Sequence, residues 1–328
     1  MSKYKPKYWI NKKYKRKKTL AKVHHPVDLF NIDIFFESRK KINKEVKRVK
    51  ERNIKTLPPR DSSLITWAGL TLKHKNDSLE FYKNNKKRKA VRRAMIKKAL
   101  GPKSTIDKQD PDLYLTGGIP GSGKTYVSER LIAANEGVKL ENLNKAVTVV
   151  SADEYKMRLV KHENKHGTNS RYRKSREPLI LTNAEYFHRE STSLAKKQFN
   201  KAVKQKRDII LDKTQKSSMK MKRDVNKAKK YGYDVHELGV FVKPTSAIKN
   251  AQVRFLETGR YMPPKQTAAG YKKNYRSILA VSKHKGVDTY MFFDNSPPYA
   301  RVSKPVMVGR NKKYARTLKS YKHMKLKN

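Results

Sequence analysis

Residues 112–135 read DLYLTGGIPGSGKTYVSERLIAAN, an apolar run followed by a glycine-rich segment and an amphipathic segment. The run at 112–116 has the composition of a buried β-strand, and it ends at Gly117 and Gly118. Residues 118–125 then fit the pattern G-x-x-x-x-G-K-[ST] at every fixed position. The order strand, glycine loop, helix predicts a loop that wraps a phosphate group with its backbone N–H groups.

The side chains of this loop have expected roles in nucleotide binding. Its glycines let the backbone approach a phosphate, Lys124 brings a positive charge to the β- and γ-phosphate oxygens, and Thr125 can bind Mg²⁺. We therefore expect a nucleotide with β- and γ-phosphates, together with Mg²⁺, at this loop. The expected nucleotide-binding residues are Gly118, Ile119, Pro120, Gly121, Ser122, Gly123, Lys124 and Thr125.

Downstream of the loop, short apolar runs alternate with helical segments, and three of the runs end at or near an aspartate. This alternation predicts an α/β fold, a three-layer sandwich with a mainly parallel sheet and helices on both faces. Parallel strands present their carboxyl ends at one edge, where ligands bind in such sheets. The runs lie at 147–150, 208–211, 235–242 and 291–293, the helical segments include 191–204 and 219–230, and the aspartates are Asp153, Asp212 and Asp294.

The composition excludes several classes of protein. The chain has 328 residues and no Cys, which excludes disulfides, thiolate metal sites and cysteine nucleophiles. It has no apolar run of about 18 residues and no apolar leader near the N-terminus, so we expect no membrane span and no secretion by a signal peptide. The expected location is intracellular, in a host cytoplasm, or packaged in a virion.

The charge is strongly positive and is concentrated toward the ends. Lys and Arg number 80 against 28 Asp and Glu, a formal net charge of +52, and residues 301–328 contain no acidic residue. We predict a basic, partly helical N-terminal extension at 1–110, a central domain at 111–300 and a basic C-terminal tail at 301–328. Such extensions favour binding to nucleic acid, with a solvated tail as the alternative.

Three features of the N-terminal extension carry further expectations. Aromatic residues alternate with lysines over residues 4–15, a mixture that can neutralise phosphates and stack on bases. The basic block at 86–98 predicts a helix that ends before Gly101 and Pro102. Two apolar patches, at 27–36 and 63–70, are expected to anchor the extension either to the central domain or to a partner.

Residues 112–297 resemble the zeta-toxin group of P-loop kinases and are similar also to the 5′-kinase domain of phage polynucleotide kinases. The resemblance rests on five motifs and does not include the ends of the chain. It implies a P-loop kinase fold and the transfer of a phosphoryl group from ATP to a hydroxyl. The motifs are residues 118–125, SADEYK at 151–156, HRESTSLA at 188–195, IILDKT at 209–214 and FDNS at 293–296.

The resemblance implies roles for residues that follow the second and third runs. Asp153 would be the general base on the acceptor hydroxyl, and Lys156 stands where polynucleotide kinases use an arginine for substrate contact. Glu190 matches an acidic residue that helps to hold substrate or metal. Asp212 would bind the metal together with Thr125.

Further positions match the family pattern after the third run and in the lid. Thr214 and Lys216 would contact the substrate or the nucleotide phosphates, but Lys213 replaces the usual glycine and places a long side chain near the expected ligand. Segment 254–265 resembles the lid, whose cations stabilise charge on the transferring phosphoryl group. Arg254 and Arg260 are the expected lid residues.

A zinc motif also occurs, as HENKH at 162–166. The pattern H-E-x-x-H on a helix would place two imidazoles on one face. This segment is polar all round and is followed at once by Gly167, with no evident third ligand. We therefore expect no zinc site.

Two functions remain open from the sequence. The first is an ATP-dependent phosphotransferase whose acceptor is a nucleotide-sugar such as UDP-N-acetylglucosamine or the 5′ end of a nucleic acid. The second is a nucleic-acid-binding or virion-associated structural protein that retains a P-loop fold with little catalysis. The charge and the likeness to phage kinases suggest a phage origin.

Overall fold

The computed structural model describes residues 25–56, 78–102, 109–166, 187–258, 264–296 and 305–311. Several sequence predictions fall outside these ranges. They are the lysine and aromatic segment at 4–15, the apolar patch at 63–70, the lid residue Arg260 and the end of the basic tail beyond 311.

A six-stranded sheet forms the centre of the described fold. Its spatial order is β2-β3-β1-β4-β5-β6, and all neighbours pair in parallel except β5 and β6, which are antiparallel. This arrangement confirms the predicted α/β class and the mainly parallel sheet. The strands are β1 (Asp112–Gly117), β2 (Thr148–Ser151), β3 (Ile209–Asp212), β4 (Asp234–Phe241), β5 (Thr289–Asp294) and β6 (Pro305–Arg310).

Eleven α-helices lie within the described residues. The N-terminal ones are α1 (Arg39–Thr56), α2 (Ser78–Phe81) and α3 (Lys86–Ala99). The next along the chain are α4 (Lys124–Asn135), α5 (Leu143–Ala146) and α6 (Ala152–His166). The others are α7 (His188–Lys204), α8 (Ser218–Lys229), α9 (Pro244–Thr258), α10 (Pro264–Ala268) and α11 (Tyr271–Ser282). Short 3₁₀ turns occur at Pro26–Leu29, Ile32–Phe35 and Leu140–Asn142. No described helix has the length and the apolar character needed to cross a lipid bilayer.

The two faces of the sheet are covered by different helices, because successive side chains of a strand point to opposite faces. Leu113 and Leu115 of β1 pack in a cluster with α6, α7 and α8, whereas Tyr114 packs with Val127 and Leu131 of α4 on the other face. The result is the three-layer sandwich that the alternation of runs predicts.

The predicted extensions share this core. Val27 and Phe35 are buried in a cluster with Phe241 and Tyr275, so the apolar patch at 27–36 is anchored to the central domain. The tail supplies strand β6 at 305–310, beyond the predicted boundary at residue 300. The two ends of the described chain also meet, because His25 Nε2 and Asn311 Oδ1 are 2.8 Å apart.

Candidate active site

The glycine loop connects β1 to α4 at the carboxyl edge of the sheet. Gly121 and Gly123 have φ angles of 80° and 76°, in the left-handed region that favours glycine. A Cβ atom on Gly121 would lie 2.2 Å from the carbonyl oxygen of Ala247 in α9. The close approach of α9 to the loop therefore requires glycine at this position.

Two asparagines hold the loop from outside the motif. Asn250 of α9 donates from Nδ2 to the Gly121 carbonyl at 3.0 Å, and Asn295, just after β5, donates to the Ser122 carbonyl at 2.7 Å. Asn295 lies in the FDNS motif at 293–296, but the sequence assigns it no role. Asn250 carries no sequence signal, because its partner lies 129 positions away in the chain.

The loop lysine is paired with a carboxylate from the neighbouring strand. Lys124 Nζ lies 2.7 Å from Asp212 Oδ1. Asp212 also accepts hydrogen bonds from the hydroxyls of Thr116 at 3.1 Å and Ser151 at 3.2 Å. The ends of β1, β2 and β3 therefore meet at one carboxylate, beside the loop.

These residues suit a nucleotide phosphate and Mg²⁺. The Ser122 side chain is fully buried inside the loop and its hydroxyl oxygen has no hydrogen-bond partner, while Thr125 is exposed at the start of α4. Within the described ranges, no group of three or more acidic or histidine side chains is arranged to hold a metal. Mg²⁺ commonly takes one or two protein carboxylates and completes its coordination with substrate phosphates and water. Asp212 and Thr125 fit that pattern.

Asp153 lies in the first turn of α6, immediately after β2. Its carboxylate Oδ1 is 3.4 Å from Lys156 Nζ, one turn further along the helix, and its side chain is 37% exposed. The Lys156 side chain is 10% exposed. The pair thus has an accessible carboxylate, as a general base requires. Beside it is the ammonium of a largely buried side chain, at the position of the expected substrate contact.

Two further carboxyls near Asp212 were not singled out from the sequence. Burial, followed by the charges of Asp212 and Glu154, raises the pKa of Glu129 on α4. Burial and the charge of Asp212 also raise the pKa of Glu154 on α6, although Arg158 opposes this. Both carboxyls are therefore close enough to Asp212 for its charge to affect them, one on α4 and the other on α6.

The unusual Lys213 does not occupy the phosphate loop. Its ammonium Nζ lies 2.6 Å from Asp224 Oδ2 on α8. The neighbouring Thr214 is half-buried and its carbonyl accepts a hydrogen bond from Asn274 of α11, while Lys216 is exposed. The departure from the family's glycine is therefore accommodated by a partner on α8.

Glu190 is placed differently from its expected role. It is fully buried at the start of α7, where Arg88 binds both carboxylate oxygens at 2.9 and 3.0 Å and Arg92 Nε lies 2.7 Å from Oε1. Burial alone would raise the pKa of Glu190, but these arginine contacts lower it. A role in substrate or metal binding would require the release of both arginines.

The remaining predicted positions are distributed as follows. Arg254 is half-buried on α9, the helix that contacts the loop, and Arg260 lies outside the described residues.

In the zinc-like motif, Glu163 is buried and accepts hydrogen bonds from Tyr82 at 2.6 Å and Arg88 at 3.4 Å. The buried glutamate of this motif therefore has a structural role, because it binds Tyr82 and Arg88.

Comparisons with solved structures agree with the fold. Three similar solved structures each have a TM-score of 0.52. One is from the PezAT chromosomal toxin-antitoxin system of Streptococcus pneumoniae, at 12% identity over 73% of this chain and 86% of that one. The others are complexes of AvrRxo1-ORF1 with AvrRxo1-ORF2: one with sulphate ions, at 17% identity over 66% and 67% of the two chains, and a native one, at 15% over 69% and 70%. At these identities the likeness supports the fold.

No curated protein matches the chain. The family described as Zeta toxin matches residues 97–298, which include the loop, Asp153, Asp212 and the helix that carries Arg254. This match covers more than half of the sequence, and the chain therefore belongs to the zeta-toxin family.

Proposed function

We propose that this protein is an ATP-dependent phosphotransferase that moves the γ-phosphate to a hydroxyl group. The observation that carries the proposal is the meeting of Lys124 and Asp212 at the glycine loop, with the accessible carboxylate of Asp153 on the next helix. Family membership supports the coarser activity, a phosphotransferase of the P-loop kinase type.

In the proposed reaction, Lys124 and the backbone N–H groups of the loop bind the phosphates of ATP. Asp153 accepts the proton of the acceptor hydroxyl as its oxygen forms a bond to the γ-phosphorus, and the bond from that phosphorus to the β-phosphate oxygen breaks. Thr125 and Asp212 would hold Mg²⁺, which would neutralise charge on the phosphate oxygens. Arg254 and Arg260 would stabilise the transferring phosphoryl group, and Lys156, Thr214 and Lys216 would orient the acceptor.

Two acceptors are compatible with the site, a nucleotide-sugar such as UDP-N-acetylglucosamine and the 5′-hydroxyl of a nucleic acid. The likeness of HRESTSLA to the toxin pattern favours the first. The net charge of +52 favours the second, and it also supports the rival function of a nucleic-acid-binding or virion-associated protein with little catalysis. A host cytoplasmic or virion location remains part of the proposal.

The test is transfer of label from γ-labelled ATP with Mg²⁺ to each acceptor in separate reactions. We expect Lys124→Ala to abolish transfer and Asp153→Asn to reduce it about 10²- to 10⁴-fold, the usual contribution of a general base. Asp33 is an exposed carboxylate that is distant from Asp153 in the sequence. Asp33→Asn therefore serves as the matched control and should leave the rate unchanged.

Transfer to one acceptor that is lost in both site variants would establish the activity and identify the acceptor class. If neither acceptor is labelled while the protein binds nucleic acid tightly, the phosphotransferase proposal fails and the structural role replaces it.

A further inference from the structure

Helix α3 is fixed to the core by buried contacts along one side. Arg88 lies on that side, 4% exposed, and bridges Glu190 of α7 and Glu163 of α6. At the other end, Gln198 of α7 donates to the Ala99 carbonyl and Arg207 donates to the Leu100 carbonyl, both at 2.8 Å. The orientation of α3 about its own axis is therefore determined at both ends.

The opposite side of α3 carries a set of exposed cations. None of them pairs with an acidic side chain of the described residues, and α3 contains no acidic residue. They are Lys86, Lys87, Lys89, Arg93, Lys97 and Lys98. This absence of partners contrasts with the inner side of the same helix, where Arg88 and Arg92 are paired with Glu190.

The cations are arranged unfavourably for an isolated helix. Lys86, Lys89, Arg93 and Lys97 follow one another at spacings of three and four residues, which places like charges next to each other on one face. Lys86 and Lys87 also lie in the first turn, where the helix dipole disfavours positive charge. An anionic ligand on this face would remove both kinds of repulsion.

The dimensions of the stripe suit a run of phosphodiesters. Lys86 and Lys97 are 11 positions apart, about 16 Å along the helix axis. A strand of duplex DNA has a phosphate about every 3.4 Å along its axis. Because the strand also winds around that axis, a straight stripe of this length lies beside a few consecutive phosphates. The exposed residues between the cations include Ala90 and Ala94, whose small side chains allow close approach.

The same face is poorly suited to a lipid surface. A helix that binds in the membrane interface needs a free apolar side. The apolar residues of α3, among them Met95, Ile96 and Ala99, pack against the core cluster of α6 and α7. Only charged and small residues remain on the outside.

We propose that the outer face of α3, defined by Lys86, Lys89, Arg93 and Lys97, is a nucleic-acid-binding surface that contacts the phosphate backbone. The inference goes beyond the proposed phosphotransfer and does not depend on it. It requires no particular base sequence, because the contacts are to phosphates.

The test compares two variants of the full chain with the same change in charge. The first carries Lys86→Gln, Lys89→Gln, Arg93→Gln and Lys97→Gln. The matched control carries Lys220→Gln, Arg223→Gln, Lys230→Gln and Lys273→Gln, four exposed cations on or beside α8 and α11. Binding of labelled duplex and single-stranded oligonucleotides is measured by anisotropy over a series of salt concentrations, and circular dichroism checks that each variant is folded.

For duplex DNA, we expect the slope of log Kobs against log salt to become shallower by up to about 3.6 in the α3 variant, since each phosphate contact contributes about 0.9. The control should keep the slope of the unaltered protein, and Lys124→Ala should bind as the unaltered protein does, so that loss of kinase activity and loss of binding are separable. Equal slopes for the two quadruple variants would attribute binding to net charge and overturn the proposal. Binding of the α3 face to vesicles containing phosphatidylserine, without binding to either oligonucleotide, would overturn it as well.

Discussion

The shape of the glycine loop depends on contacts that its own motif does not contain. Gly121 lies against the Ala247 carbonyl, and its φ of 80° is strained for any other residue. We expect Gly121→Ala to abolish measurable ATP binding in calorimetric titration, because the new methyl group must displace the backbone of α9.

Gly137 provides the control for this substitution. Its φ is 66°, but a Cβ there would meet nothing within 4 Å. Gly137→Ala should therefore destabilise the fold by about 1 to 2 kcal/mol through its backbone conformation alone, with ATP affinity unchanged. Equal losses of affinity in the two variants would contradict the assigned role of the Ala247 contact.

The loop could be predicted because its residues are consecutive in the sequence. Contacts between residues that are distant in the sequence could not be predicted in this way. Residues 118–125 carry their function in eight consecutive positions. Asn250 reaches the site only because α9 flanks the loop, which no short pattern expresses. Lys213 illustrates the reverse case, since the sequence places it near the ligand, whereas in the structure its ammonium is paired with Asp224 on α8.

Glu190 lies in the contact between α3 and α7, so its role is either structural or in substrate binding. Stability measurements distinguish these two roles. Removal of one partner from a buried ion pair commonly costs about 3 to 5 kcal/mol. We expect Glu190→Ala to lower the free energy of unfolding by that amount in urea titrations, because Arg88 and Arg92 lose their shared carboxylate. Glu190→Gln should cost less, since the amide oxygen still accepts a hydrogen bond.

A substrate role for Glu190 would give the opposite pattern. Unchanged stability of Glu190→Ala, together with a raised KM for the acceptor, would contradict the structural role and return the residue to the catalytic site.

The N-terminal end of α9 is bound by a glutamate from the extension. Glu37 accepts hydrogen bonds from the backbone N–H of Thr245 at 2.9 Å and from its hydroxyl at 3.0 Å. Burial would raise the pKa of Glu37, but the hydrogen bonds from Lys41 and Thr245 lower it below the ordinary 4.5. Because the folded-state pKa is lowered, this contribution to stability is present above pH 4.5 and is lost as the pH falls below it.

We expect Glu37→Gln to lower the free energy of unfolding by about 1 to 3 kcal/mol at pH 7. The difference from the unaltered protein should shrink as the pH falls below 4.5, as measured by thermal unfolding between pH 3 and pH 7. Glu51→Gln, which alters an exposed ion pair, should show almost no difference at either pH. A difference for Glu37→Gln that persists undiminished at low pH would contradict the ionic contribution.

Elements with a strong pattern were predicted at nearly their observed bounds. Residues 86–98, 191–204 and 219–230 correspond to α3, α7 and α8, and the four downstream runs correspond to β2, β3, β4 and β5. Strand β6 was missed, since PVMVGR is short and lies in a region that its charge marks as a tail. Its pairing with β5 depends on the sheet already being formed.

The extension and the kinase core form one hydrophobic unit in the described residues. Phe35 is 1% exposed and stacks with Phe241 at a centroid distance of 5.5 Å. We expect Phe35→Ala to destabilise the protein by about 3 to 5 kcal/mol, measured by thermal or denaturant unfolding. The adjacent Ile34, which is 49% exposed, is the control, and Ile34→Ala should change stability by less than about 0.5 kcal/mol.

A small effect of Phe35→Ala would contradict the anchoring role assigned to this side chain. The sequence left the anchor of the patch at 27–36 open between the central domain and a partner. Composition could not decide between them, because both would bury the same aromatic side chains.

The contact between His25 and Asn311 has a consequence for synthesis of the protein. A ribosome releases the N-terminal end first, yet Val27 and Phe35 pack against residues as late as Phe292 and Met307. The early segment therefore cannot complete its packing until residues 292–307 have been translated. Contacts between such distant positions slow folding and prolong exposure to aggregation. We infer that the aromatic side chains of residues 27–36 stay accessible to chaperones while the intervening residues are synthesised.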